Sequence, residues 1–469
     1  MAIYDAGSSK RLGDFQAFWW DGLYHLYYIR ARGWEHISTY DMVHFEEYPT
    51  AIAGGSEDDQ DWQIYTGSII ERNGLFYAFY CGSNARLIAR GGCEEVQMRA
   101  TSTDLITWTK DPVWRLPPTT QRYTSVAWRD PYVFWNNERR EYWMLVTAQL
   151  KEGPAKSLVV ERRTGVGCVA LFASHDLDHW EERPPLWTPG LYDTTECPDM
   201  FCIGEWWYLV FSEYHDIWST RYRMARSAEG PWLAPADDCF DGRAFYAART
   251  VSDGRRRFLI GWLSTKEGER DGGKYEWGGS LLVHELHQRP DGTLSAALPK
   301  EVEASFNAAS SLSPKPELGT WTIAGDELTA QAQNEFSFLR LAELSDNCVF
   351  KTTIRWSPET RSCGLALRAD EPLNDWYMVS LEPRGGVLKF DRWLRAWDYP
   401  WMERPLTVKG SSAELIVVIS GSEVVIYVDG MVALSGRAYD LRGGSVGLFV
   451  SEGEASFGEY KLYTRSQRE

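Results

Sequence analysis

Hydrophobic and polar residues alternate along this chain in short, aromatic-rich runs, and nowhere does a long helical period set in. The runs form a degenerate repeat. An apolar-aromatic strand lies beside a polar turn, a second strand ends in Ser/Thr-x-Asp, and an aromatic residue stands four positions after that Asp. The first copy joins Gly22-Leu-Tyr-His-Leu-Tyr-Tyr28 to Thr39-Tyr-Asp41-Met-Val-His-Phe45. The second joins Gly74-Leu-Phe-Tyr-Ala-Phe-Tyr80 to Ser102-Thr-Asp104-Leu-Ile-Thr-Trp108. The third joins Glu141-Tyr-Trp-Met-Leu-Val-Thr147 to Ser174-His-Asp176-Leu-Asp-His-Trp180, and the fourth, more worn, runs from Glu205 to Trp232. A last strand, Arg257-Phe-Leu-Ile-Gly-Trp262, opens a fifth unit. The three clear Asp residues are 63 and 72 residues apart, a spacing that predicts propeller blades of several short strands each. In the repeated hairpin the Asp is expected to accept hydrogen bonds from turn N–H groups, and the aromatic to cap the blade.

The rhythm changes after the fifth unit. Residues 301–318 loosen into Ala, Ser and Pro and read as a linker. Strands then resume at short intervals with Gly-containing turns, as in Cys348-Val-Phe-Lys-Thr-Thr-Ile-Arg-Trp356 and Glu423-Val-Val-Ile-Tyr-Val-Asp429-Gly430. The pattern predicts an all-β chain: a five-bladed β-propeller over residues 1–300, a linker over 301–318, and a β-sandwich over 319–469.

Composition narrows the partners. The net charge of −17 would repel nucleic acid over most of the surface. An aromatic content of 14%, with 23 Trp and 24 Tyr, suits stacked sheets and also suits sugar binding through flat apolar faces. No run of about 18 apolar residues predicts a membrane span. The first ten residues lack a basic segment followed by an apolar core, and the eight cysteines are scattered without metal spacing, so a cytoplasmic protein with free thiols is expected. The sandwich is expected to pack on the propeller or on a second copy of the chain.

Three acidic motifs carry chemistry: Gly13-Asp14, Arg129-Asp130-Pro131 and Glu196-Cys-Pro-Asp199. In a propeller the innermost strand of every blade faces the central channel, so carboxylates far apart in sequence converge there. Asp14, Asp130 and Glu196 fall near the starts of blades one, three and four. A pair of carboxyl groups flanking one bond is the requirement for glycoside hydrolysis. The alternative reading makes each a loop, turn or surface residue.

These motifs, with Tyr24-His-Leu-Tyr-Tyr28, Trp34-Glu-His-Ile37 and Tyr65-Thr-Gly-Ser68 in the same order, resemble glycoside hydrolase family 32, the β-fructofuranosidases. The resemblance runs over nearly the whole chain. It implies a five-bladed propeller with a sandwich and a retaining hydrolase that releases terminal fructosyl units from sucrose or fructans, with no metal or organic cofactor. It implies Asp14 as nucleophile, Asp130 as transition-state stabiliser and Glu196 as general acid/base kept protonated by burial. Arg129 would orient the carboxylates, and Asp199 would bond the sugar or tune Glu196. The departure lies at the first motif, Arg11-Leu-Gly-Asp-Phe-Gln16, where Gln16 is expected to make a polar contact to the sugar. Ser68 and the pair Trp62 and Gln63 are further expected binding residues, and of Trp19, Trp20, Trp34 and Trp62 one or two are expected to line the pocket. His36 is expected on the pocket floor or in the core. His284-Glu285-Leu286-His287 reads as a strand whose histidines face opposite sides rather than as a metal site. Two rival functions stand beside hydrolysis. A fructosyltransferase, including one that forms or cleaves difructose anhydride, would share the mechanism and differ in acceptor. A non-catalytic carbohydrate-binding propeller would leave the three carboxylates apart.

Overall fold

The structure, a computed structural model, describes residues 11–465 except 120, 153–164, 214–216, 394–401 and 409, and it is built almost entirely of strands. Five antiparallel sheets come first, four of them four-stranded and the fourth in order three-stranded. Their innermost strands are Gly13–Trp20, Gln63–Arg72, Arg129–Asn136, Glu196–Ile203 and Phe245–Ser252. Each innermost strand touches the next, and the fifth touches the first, so the sheets close into a five-bladed propeller.

The repeated turn shows why the blades hold together. Asp41 Oδ1 accepts from the amides of Val43 and His44 at 2.9 and 2.8 Å. Asp104 does the same for Ile106 and Thr107, and Asp176 for Asp178 and His179. The hydroxyl two residues before each Asp accepts from the residue after it, at 2.9 Å in all three copies. That next residue is Met42, Leu105 or Leu177, forced to a φ of 60°, 63° or 70°. Each of these apolar side chains is buried. Leu105 packs with blade-one residues such as Tyr27 and Trp34, and Leu177 packs with Phe79 of blade two. Tyr27 also donates its hydroxyl to the Leu105 carbonyl at 2.5 Å. The turn is thus a plug from one blade into its predecessor. The aromatic that follows belongs to the same joint, since Trp180 meets Phe79 edge-on at 5.7 Å.

Among the described residues no strand is shared between the first and last blades, and the ring closes at a bridge where Leu12 and Gly279 exchange amide hydrogen bonds of 2.9 and 2.8 Å. The remaining strands form one 13-stranded sheet folded on itself into a sandwich. Its long members Glu327–Glu343 and Ser445–Thr464 pass from one layer to the other through bulges, the device by which strands turn sandwich corners. The stretch 301–318 contains most of a short helix, Lys300–Ala304, and two strands, Ala308–Ser310 and Lys315–Leu318, that pair into the sandwich sheet.

One apolar cluster runs without a break from blades four, five and one into the sandwich. Polar anchors cross the same boundary. The buried Asp241 carboxylate accepts from His284 Nε2 at 2.9 Å and from the Ser435 amide at 2.6 Å, while His284 Nδ1 meets the Tyr427 hydroxyl at 2.9 Å. His287 is exposed on the other face of the strand. Among the described residues no helix is long and apolar enough to cross a membrane.

Candidate active site

All five innermost strands carry a β-bulge near their first residues, at Gly13/Gln16, Ile64/Gly67, between Arg129 and Tyr132, at Glu196/Asp199 and at Tyr246/Arg249. A bulge inserts an extra residue and re-aims side chains. Asp14, Asp130, Cys197 and Ala247, the first inserted residues of four blades, have φ of 45°, 58°, 50° and 51°. Left-handed backbone at a non-glycine residue is disfavoured and marks a place where the surrounding structure dictates the conformation.

The fivefold register sorts the channel into rings. The upper ring is Gly13, Ile64, Arg129, Glu196 and Tyr246. The middle ring is Asp14, Tyr65, Asp130, Cys197 and Ala247. The lower ring is Gln16, Gly67, Tyr132, Asp199 and Arg249. A cavity of about 480 Å³ opens over the upper two rings, lined by Asp14, Asp130, Glu196, Arg129, Tyr246 and Trp277, with Tyr65, Gln63 and Glu95 on its wall. The three carboxylates of the acidic motifs therefore share one cavity.

Each carboxylate is held differently. Asp14 Oδ1 accepts from Trp262 Nε1 at 3.0 Å. Burial, with the Asp130 and Glu196 charges nearby, pushes Asp14 up to about 7 despite that bond. Asp130 is buried, and its Oδ2 accepts from the Cys197 amide at 2.9 Å and the Thr147 hydroxyl at 3.1 Å. Its pKa is also raised, by burial, against the pull of Arg129. Glu196 is gripped on both oxygens, Oε1 by Arg129 Nη2 at 2.6 Å and Oε2 by the Tyr246 hydroxyl at 2.8 Å. Arg129 in turn donates to Glu95 at 3.3 Å, and Glu95 accepts from the Trp128 amide. Burial drives the Cys197 thiol well above its ordinary value, which makes it a packed neighbour rather than a nucleophile.

The N-terminal domain model of glycosyl hydrolases family 32 matches residues 14–292. The chain belongs to glycosyl hydrolase family 32. Sucrose-6-phosphate hydrolase of Escherichia coli is 26% identical over 323 residues, covering 63% of this chain and 64% of the relative. The corresponding enzyme of Salmonella typhimurium is 30% identical over 281 residues, covering 53% and 55%. The chain thus spans between about half and two thirds of the length of these relatives. The crystal structure of fructan 1-exohydrolase IIa from Cichorium intybus superposes with a TM-score of 0.76 at 16% identity, over 99% of this chain and 97% of that one. Sucrose-6-phosphate hydrolase from Lactobacillus gasseri gives 0.72 at 18% identity, over 97% and 91%. At these identities the two structures speak for the shared fold.

Several residues expected at the family 32 pocket lie elsewhere, for reasons of strand geometry. Gln16 and Asp199 sit in the lower ring, beneath the carboxylates. Gln16 Oε1 accepts from Gly67 N and the Thr66 hydroxyl, both at 2.9 Å, and Asp199 Oδ2 accepts from Thr250 N at 2.5 Å. Ser68 is committed to the backbone of Val133 at 2.8 Å. Trp34 is fully buried between blades one and two, its indole donating to the Tyr65 carbonyl at 2.9 Å. Trp20 ends its strand at the opposite mouth of the channel, 42% exposed and edge-on to Phe76. His36 is not on the pocket floor; it is stacked between Tyr27 and Tyr48 inside blade one. Gln63 reaches the cavity, and Trp62 lies just outside it with Arg86 4.5 Å over its ring. Tyr246, Trp262, Trp277 and Arg249 went unnoticed in the sequence. The register was the available signal, because Tyr246-Ala-Ala-Arg249 occupies in blade five the place of Glu196-Cys-Pro-Asp199 in blade four.

Proposed function

We propose that this chain is a retaining hydrolase that releases terminal fructosyl units from sucrose or short fructans. The observation that carries the reading is one cavity holding Asp14, Asp130 and Glu196, with Glu196 clamped by Arg129 and Tyr246. In this mechanism the Asp14 carboxylate forms a bond to the anomeric carbon of the fructosyl unit while the glycosidic C–O bond breaks. Glu196 gives its proton to the departing oxygen. Water then loses a proton to Glu196 and adds to the same carbon, which frees Asp14. Asp130 accepts hydrogen bonds from sugar hydroxyls and strengthens them as the ring flattens. Trp277, 47% exposed on the cavity wall, offers a flat face to the sugar.

The relatives named for sucrose 6-phosphate and fructan make the leaving group the open variable. Purified protein incubated separately with sucrose, sucrose 6-phosphate, inulin, levan and difructose anhydride, with sugars resolved by chromatography, tests the reading. Free fructose from at least one of them is expected, and none from the Asp14→Ala variant. Products longer than the substrate at high sucrose would assign transfer rather than hydrolysis. Binding without any product from the whole panel would leave a carbohydrate-binding propeller instead.

A further inference from the structure

Arg249 is the one guanidinium in the lower ring. It is 2% exposed, and among the described residues it makes no ion pair. Its charge is instead directed at backbone oxygens of two other blades. Nη1 donates to the Gly67 carbonyl of blade two, and Nη2 donates to the Asp130 carbonyl of blade three at 3.0 Å. The guanidinium also lies 5.7 Å from the centre of the Tyr132 ring. Gly67 leaves no choice in this arrangement, since a Cβ there would fall 1.9 Å from the Phe79 carbonyl oxygen and the strands could not close on one another. Burying a cation to satisfy two carbonyls is expensive, and a neutral side chain would supply an N–H at lower cost. What only a cation supplies is a field directed up the channel.

The cavity above is short of positive charge. Asp14, Asp130, Glu196 and Glu95 line it, against Arg129 alone. The groups acting on Asp14 are Asp130 and Glu196, which oppose its ionisation, and the Trp262 N–H and Arg249, which favour it. Those acting on Asp130 are Arg129, Arg249 and the Cys197 amide on one side, and Glu196 on the other. Burial keeps two thiols protonated here, Cys81 beside Glu95 and Asp130, and Cys197 beside Asp130 and Asp14. Next to the cavity residue Trp277 in sequence, Glu276 is paired with Arg11 at 3.0 Å.

We propose that Arg249 is a positioning residue for the reaction: it clamps the Asp130 backbone to blade two from below and favours the charged forms of Asp14 and Asp130. This rests on the reading of Asp14 as nucleophile. The test uses the full chain with Arg249→Gln and Arg249→Lys. With the sugar that the panel identifies, Arg249→Gln is expected to lower kcat roughly tenfold or more, with KM within about threefold. It should also move the acidic limb of kcat/KM upward by about one pH unit, and Arg249→Lys should bring the limb back. A substrate-free measurement accompanies it: carbon-detected NMR titration of ¹³C-labelled Asp carboxyls, with Asp14 assigned through Asp14→Asn. Asp14 is expected to titrate at higher pH in Arg249→Gln than in wild type, and close to wild type in Arg249→Lys. An unchanged Asp14 titration in folded Arg249→Gln overturns the proposal, as does a limb that stays in place while kcat falls. Should Arg249→Gln not fold, Arg249→Lys decides alone: lowered kcat with an unmoved titration supports the clamp and the charge as stated, and full kcat overturns it. Absence of sugar cleavage by wild type would defeat the functional reading, while the NMR arm still decides whether Arg249 sets the ionisation of Asp14.

Discussion

Tyr246 and Glu196 meet at 2.8 Å across 50 residues of chain, the phenol donating to Oε2 while Arg129 holds Oε1. The two donors fix the plane of the carboxyl group without blocking its cavity face. Tyr246→Phe removes one of them and leaves the ring in place. We expect kcat to fall about 10- to 100-fold with KM nearly constant, because the lost bond orients Glu196, the proposed proton donor, rather than the sugar. Steady-state kinetics with a matched thermal melt checks this, and a rise in KM at constant kcat would contradict it.

Asp14 gives opposite predictions for activity and stability. Its folded value of about 7 lies above its unperturbed 3.8, so its protonated form favours the fold. The stability from this group is complete below 3.8 and is lost as pH rises through about 7. Asp14→Asn cannot ionise. It should abolish turnover by about three orders of magnitude or more and yet stabilise the protein at pH 8, by about 1–3 kcal/mol, with little difference near pH 4. Chemical denaturation at the two pH values measures this. In wild type, kcat/KM should decline below pH 7 as Asp14 takes up its proton.

Arg129 is a structural as well as a chemical residue. Glu95 behind it is buried and depends on it, with burial already raising the Glu95 carboxyl. Arg129→Met strands that carboxylate and should cost about 3–5 kcal/mol. The double variant with Glu95→Gln should recover much of this stability but none of the activity.

The tryptophans divide between cavity and core. Trp277→Ala should raise KM about tenfold and leave the melting temperature nearly unchanged. Trp34→Ala, which empties a joint between two blades, should cost about 3–5 kcal/mol with KM unaffected in the folded fraction. Exchange of these two outcomes would return the sugar face to the position the sequence suggested.

The sequence made the propeller legible because the Ser/Thr-x-Asp turn is local: a hydroxyl and a carboxylate satisfy amides within three residues, so the same letters give the same turn each time. The convergence of Asp14, Asp130 and Glu196 was legible for a related reason, since all three open innermost strands. The lower ring was not. One bulged residue changes which side chains face the cavity, so Gln16 and Asp199, only two residues beyond the inserted Asp14 and Cys197, lie beneath the site. Trp34 and Trp277 could not be sorted either, because both stand in aromatic-rich strands and only packing between blades decides which is enclosed.

Asp241 ties the propeller to the sandwich. Its carboxyl lies below the usual range, through bonds from His284, Ser435 and Gly242 that outweigh its burial. Its stabilising effect is present above 3.8 and is lost as pH falls through the lower folded value. Asp241→Asn should cost about 3–5 kcal/mol at pH 7 and progressively less below pH 4. Thermal melts across that range check the trend, and a cost that is independent of pH would refute the assignment.

The ring closes where its first strand meets its last blade, and Asp14 sits at that seam with its partner Trp262 lying 248 residues downstream. During synthesis Asp14 leaves the ribosome well before Trp262, and it gains that partner only after the fifth blade has been made. A chain halted before the fifth blade would already hold all three acidic motifs and still lack Tyr246, Arg249 and Trp262. The site is therefore assembled only when the circle is complete, since a chain without the fifth blade lacks the Trp262 partner of Asp14 and the Tyr246 partner of Glu196.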